Sequence, residues 1–148
     1  MAFTILVADD SETMRAVVKK TVEMSGIPIA AFFQAAYGQE ALKILENEWV
    51  DVILSDINMP VMSGVEMLRA LKNDKVLGQI PVIFITTESS QARIDETTKL
   101  GSAGYVKKPF LPETIKKVLM DVLEKAYEQR VLELTPVSSG PGSDEMDF

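Results

Sequence analysis

The sequence contains no histidine and no cysteine. Without histidine the chain has no imidazole base, no histidine ligand for zinc and no phosphohistidine of its own. Without cysteine it can form neither a disulfide nor a thiolate metal site, and that count alone leaves the redox compartment open. A basic surplus is missing too. Lys and Arg number 15 against 22 Asp and Glu, for a net charge of −7 and a pI near 4.6. This balance argues against nucleic acid, whose phosphates require a basic face. No apolar run approaches the roughly 20 residues of a membrane helix. The run that opens the chain meets Asp9 and Asp10 too early for a signal peptide. Membrane insertion is therefore not expected, and a soluble cytoplasmic protein is.

What is present is enough for a real core: 148 residues, 47% of them hydrophobic, the size of one ordinary domain. Short runs rich in Ile and Val, at 4–8, 29–36, 50–55, 82–85 and 105–107, alternate with amphipathic stretches of helical length. Ser11 to Ser25 carries Met14, Val17, Val18, Thr21 and Val22 at helical spacing, and Gly26 and Pro28 stop it. Further helices are predicted over 39–48, 65–73 and a more polar 89–100, and a last one from Pro112 at least to Tyr127. Asn58-Met59-Pro60 and Ser63-Gly64 read as a loop. Strands alternating with helices predict an α/β fold, a doubly wound five-stranded parallel sheet of flavodoxin-like order 2-1-3-4-5 with five helices.

In such sheets chemistry gathers beyond the carboxyl ends of the strands. The residues there are Asp9 and Asp10, Asp56, Thr86 and Thr87, and Lys108 before Pro109. The first and third strands are neighbours in this order, so Asp9, Asp10 and Asp56 converge despite their distance in sequence. Crowded carboxylates either rise in pKa or accept a cation, and an all-oxygen pocket with room for water suits Mg²⁺. An aspartate beside Mg²⁺ can attack a phosphoryl group, with Lys108 supplying charge and the Thr86 hydroxyl a hydrogen bond to its oxygens. Taken singly, each Asp reads as a helix cap or turn residue and Lys108 as solvated. The set at successive strand ends is what carries the reading.

The segments Leu6-Val7-Ala8-Asp9-Asp10-Ser11, Leu54-Ser55-Asp56-Ile57-Asn58-Met59-Pro60, Ile85-Thr86-Thr87-Glu88 and Gly104-Tyr105-Val106-Lys107-Lys108-Pro109-Phe110 follow one another in order. Together they resemble the receiver domain of two-component response regulators, and most closely the stand-alone chemotaxis type. The resemblance implies that Asp56 is the phosphoacceptor. It implies that Asp10, Asp56 and the backbone carbonyl of Asn58 bind Mg²⁺, with Asp9 helping through water. Thr86 and Lys108 would contact the phosphoryl group, Thr86 and Tyr105 would form the switch, and Asn58 and Glu88 would tune dephosphorylation. The implied partners are a histidine kinase as phosphodonor, which fits a chain without histidine, and a downstream target. That target would dock on the face of the fourth helix, fifth strand and fifth helix. Such a protein catalyses its own phosphotransfer and dephosphorylation but is a switch rather than an enzyme. Chemotaxis is the favoured pathway, with a relay intermediate or phosphate sink as the alternative.

The resemblance covers about 1–126. Residues 127–134, with Val131, Leu132 and Leu134, either extend the last helix or fold back on the body. The acidic segment 135–148, rich in Pro, Gly and Ser, is expected to be a disordered tail. Ala8 stands where Val is common before the acidic pair, and the chain past Tyr127 is longer than a minimal receiver. An aspartyl-phosphate phosphatase of the haloacid dehalogenase type would need an acid two residues after its nucleophile, where Asn58 stands. A flavodoxin would need a phosphate-cradling loop where Asp9-Asp10-Ser11 stands.

Overall fold

Residues 2–134 are described by a computed structural model of the chain. The elements are β1 (Phe3–Ala8), α1 (Glu12–Met24), β2 (Ile29–Ala35), α2 (Gly38–Leu45), β3 (Val52–Ser55), α3 (Gly64–Lys72), β4 (Val82–Thr86), α4 (Gln91–Lys99), β5 (Gly104–Lys107) and α5 (Pro112–Leu134). All strand pairs are parallel and the order is β2-β1-β3-β4-β5, as the alternation predicts. The segment expected as a tail, 135–148, lies outside the described residues.

The central strands read as unbroken apolar runs because both faces of the sheet are covered. Ile5 and Val7 of β1 pack with Leu54, Ile83 and Ile85 against Val18 and Val22 of α1 and Ile115, Leu119 and Val122 of α5. Leu6 and Ala8 face the other way, joining Ile53 and Phe84 against Ala41 and Leu45 of α2 and Val65, Leu68 and Leu71 of α3. The alternation along β1 is the two-residue period of a strand sorting side chains between two layers. Among the described residues, α4 buries only Thr97, consistent with the polar helix expected there.

Several boundaries differ from expectation for local reasons. Val50 is fully buried but precedes β3, because the Asp51 carboxylate accepts the Thr4 N–H at 2.8 Å and so replaces a ladder carbonyl. The fourth helix starts at Gln91 rather than Ser89. Ser90 is its extended N-cap, accepting from the Arg93 N–H, while its own N–H donates to Glu88 Oε2 at 3.1 Å. The second helix ends at Leu45, where Glu46 and Asn47 turn back to the carbonyls of Lys43 and Ile44. A short 3₁₀ turn at Leu77–Gln79 carries no sequence signal of its own.

Gly64 opens α3 directly beneath the loop after β3. The N-cap Ser63 hydroxyl accepts from the Glu66 N–H at 3.2 Å and the Glu66 carboxylate accepts from the Ser63 N–H at 2.9 Å, a reciprocal cap. The Gly64 N–H donates to the Ile57 carbonyl at 2.8 Å, which pulls the helix start against the chain. A Cβ at Gly64 would strike the Asp56 carbonyl oxygen and come within 2.7 Å of the Phe84 ring. Gly64→Ala is therefore expected to destabilise the protein by about 1–3 kcal/mol, read as a lowered urea midpoint at unchanged slope.

Candidate functional site

Three strand ends hold the site by the same device. The Asp9 N–H donates to the Ala35 carbonyl at 3.0 Å, the Asp56 N–H to the Ala8 carbonyl at 2.9 Å, and the Lys108 N–H to the Thr86 carbonyl at 2.8 Å. Each residue just past its strand is thus tied to the end of the neighbouring strand. The register pairs Ala8 with Ser55, so Asp9 and Asp56 emerge side by side. One carboxylate oxygen from each of Asp9, Asp10 and Asp56 lies within 4.8 Å of the other two.

The Lys108 ammonium sits between two of these acids, 2.8 Å from Asp9 Oδ2 and 3.0 Å from Asp56 Oδ2. All three side chains are about nine-tenths buried or more. Burial opposes the charge on Lys108, but the hydrogen bonds and charges of Asp9 and Asp56 outweigh it and raise its pKa. The other oxygens are held by backbone. Asp9 Oδ1 accepts from the Ser11 N–H at 2.9 Å, and Asp56 Oδ1 accepts from the Ile57 N–H at 2.7 Å. Ser11 in turn caps α1 by accepting from the Met14 N–H at 3.1 Å. Asp10 is exposed.

Three clustered carboxylates and one ammonium leave a local excess of negative charge. At a separation of 4.8 Å each like-charged pair repels by roughly 3 kcal/mol at an effective dielectric of 20, less where water screens Asp10. The donors are hard oxygens, so the cluster fits a hard divalent cation, Mg²⁺ or Ca²⁺, better than a soft one.

Thr86 is fully buried at the end of β4, and its hydroxyl accepts the Glu88 N–H at 3.1 Å. Glu88 bridges outwards: its Oε1 accepts from the Asn58 amide at 3.2 Å and lies 3.9 Å from Arg93. The Ser90 N–H and the Asn58 amide, joined by Arg93 and the Ser89 N–H, hold its carboxyl below the usual range against the opposing effect of burial. Tyr105 is half-buried rather than a free surface aromatic. Its hydroxyl donates a short hydrogen bond to the Glu88 carbonyl, and its pKa is raised by burial and by the Glu88 charge.

All eight residues named from sequence lie at this carboxyl edge or on the loop and strand adjoining it. Sequence reasoning missed Arg15, whose guanidinium donates to the Asp9 carbonyl at 2.7 Å and to Gln34 at 3.1 Å. It also missed Arg93 beside Glu88. Arg15 follows the N-cap Ser11 by four residues, so a helical wheel would have aimed it back at the acidic pair. Beyond Pro60, Val61 adopts φ +68°, a left-handed conformation costly for a β-branched side chain and invisible in its residue type.

A sequence profile described as response regulator receiver domain matches residues 5–120. The chain belongs to this family. The receiver is 38% identical over 120 residues to the chemotaxis protein CheY homolog of Campylobacter jejuni, covering 80% of this chain and 91% of that one. It is 37% identical over 120 residues to chemotaxis protein CheY1 of Helicobacter pylori, covering 80% of this chain and 95% of the relative. Its fold is similar to that of the chemotaxis response regulator CheY4 of Vibrio cholerae, with a TM-score of 0.73 at 36% identity over 82% of this receiver and 99% of the other. No described helix is long and apolar enough to cross a membrane.

Removing the ammonium would leave Asp9 and Asp56 buried beside each other without their counter-charge. Lys108→Ala is expected to lower the stability of the metal-free receiver by about 1–3 kcal/mol, measured by urea denaturation in the presence of a chelator.

Proposed function

We propose that this receiver is a phosphorylation switch in which Asp56 accepts a phosphoryl group from the phosphohistidine of a partner kinase. The observation that carries the reading is the Lys108 ammonium held at 2.8 and 3.0 Å between Asp9 and Asp56, with Asp10 completing the acidic cluster. The Asp56 carboxylate oxygen attacks phosphorus, the N–P bond of the donor breaks, and the imidazole leaves with the electron pair and takes a proton. Attack of water on phosphorus later releases phosphate and restores the carboxylate. Lys108, already at Asp56 Oδ2, moves its charge onto the incoming phosphoryl oxygens, and the Thr86 hydroxyl hydrogen-bonds one of them.

Asp10, Asp56 and the Asn58 carbonyl would hold Mg²⁺, with Asp9 acting through water. When bound, the metal supplies positive charge that offsets the carboxylates and the transferred group. Asn58 and Glu88, joined side chain to side chain at 3.2 Å, cross the mouth of the pocket and would govern the approach of the hydrolytic water. An amide at 58 cannot shuttle a proton, which argues against a phosphatase.

Turning the Thr86 hydroxyl towards phosphate withdraws the acceptor of the Glu88 N–H, and the Glu88 carbonyl is what Tyr105 holds. The switch thus couples the pocket to the face of α4, β5 and α5, where a downstream target binds. The curated relatives named above are chemotaxis proteins, and this chain serves the same kind of signalling in our reading.

With Mg²⁺ and acetyl phosphate, intact-mass measurement should find one phosphoryl group on the wild-type chain and none on Asp56→Asn. Equal uptake by both would overturn the assignment. Thr86→Ala should still be phosphorylated, yet lose most of the change in amide exchange over 87–108 that beryllofluoride induces in the wild type. An unchanged response would mean that the signal leaves the pocket by another route.

A further inference from the structure

The two acids that follow β1 are held in different ways. Every polar group of Asp9 has a partner. Its N–H donates to the Ala35 carbonyl at 3.0 Å, and its carboxylate accepts from the Ser11 N–H and the Lys108 ammonium. Its carbonyl oxygen accepts from Arg15 Nη1 at 2.7 Å. The Asp10 carboxylate is exposed, and among the described residues no group donates a hydrogen bond to it. One of its oxygens nevertheless lies within 4.8 Å of oxygens of Asp9 and Asp56. No side-chain partner aims it there, so its backbone has to.

The Asp9 carbonyl belongs to the peptide unit that joins Asp9 to Asp10. That unit is planar, so fixing the direction of its oxygen also fixes the Asp10 nitrogen and limits where the Asp10 side chain starts. Arg15, half-buried on α1, supplies the hold. Its Nε donates to Gln34 Oε1 at 3.1 Å while Nη1 reaches the carbonyl. Gln34 lies on β2, in register with Val7, two residues before Asp9. The planar guanidinium therefore spans from one strand to the chain leaving the next, with both donors set in one rigid fork. A lysine ammonium has no such fork.

We infer that Arg15, braced by Gln34, is a positioning residue that sets Asp10 for Mg²⁺ and makes the acid cluster prefer Mg²⁺ to Ca²⁺. The inference rests on the reading of Asp10 as a metal ligand. Mg²⁺ demands near-ideal octahedral geometry at short distances, whereas Ca²⁺ tolerates irregular and longer ones. Loosening the Asp9–Asp10 peptide unit therefore costs the smaller ion more. Groups that orient a ligand without touching the metal commonly change its affinity by about tenfold or more. Charge acts in the opposite sense. A guanidinium is a cation near a cation site, so if Arg15 acted by charge alone its removal would tighten both ions.

Amide NMR titrations of the full chain with MgCl₂ and with CaCl₂, at constant ionic strength and without phosphodonor, test this apart from phosphoryl transfer. Followed at Asp10, Asp56 and Asn58, Arg15→Ala should weaken Mg²⁺ by about tenfold and Ca²⁺ by clearly less. Arg15→Lys, which keeps the charge, should recover only part of the loss. Gln34→Ala should weaken Mg²⁺ by a smaller factor, because the bond from Arg15 to the Asp9 carbonyl remains. Thermal melts in a chelator should stay cooperative for all three variants; if Arg15→Ala does not, Arg15→Lys and Gln34→Ala carry the comparison. Mg²⁺ affinity that is unchanged or tighter overturns the inference, and so does an equal loss for both ions, the mark of a merely structural role. A wild-type chain whose amides at these positions do not respond to Mg²⁺ overturns the metal reading as well. A wild type that responds, beside an Arg15→Ala that responds equally, overturns the role of Arg15 alone.

Discussion

The Lys108 ammonium between Asp9 and Asp56 is the contact on which the site depends. Lys108 follows β5, which pairs only with β4, whereas its two acids follow β1 and β3. Its backbone stays at β4, with the N–H on the Thr86 carbonyl, and the four-carbon stem carries the charge across the top of the sheet. An aspartate or serine at that position could not reach. One lysine therefore ties together residues that follow three different strands and stands within hydrogen-bond distance of two buried carboxylates. It does not neutralise the cluster, because Asp10 adds a third charge within 4.8 Å. The remaining negative potential is what makes the pocket receptive to a cation.

Rigidity and freedom are divided across the same edge. Asp9, Thr86 and the strands behind them are buried in two apolar layers, so the pocket floor cannot shift without disturbing the core. The Glu88 loop and α4 are held by side-chain hydrogen bonds, by the Arg69–Glu96 pair at 3.0 Å between exposed groups, and by a single buried threonine. Such contacts are individually weak. Glu88 stands at the junction, receiving hydrogen bonds from Asn58 at its side chain and from Tyr105 at its carbonyl, and donating its own N–H to Thr86. The contacts on the outer side of this residue are thus few and mostly exposed, whereas those on the inner side belong to the buried strands.

Sequence alone determined the architecture of this receiver and the place of its acidic pocket. Five apolar runs separated by helix-length stretches admit few topologies, and parallel strands put their polar followers on one edge, so the sequence itself groups Asp9, Asp10, Asp56, Thr86 and Lys108. Element ends were less legible, because Asp51, Ser90 and Glu88 satisfy backbone groups with side chains and so move a boundary by two residues where residue type changes little. Only the tertiary structure decided that Lys108 bonds both Asp9 and Asp56, that Tyr105 turns its hydroxyl to the Glu88 carbonyl, that Arg15 braces Asp9, and that an apolar groove remains at the amino end. These depend on which of several rotamers a long side chain adopts and on which surfaces neighbouring elements leave uncovered. Periodicity in one dimension specifies which face a residue is on, whereas the partner it meets there is set by packing in three.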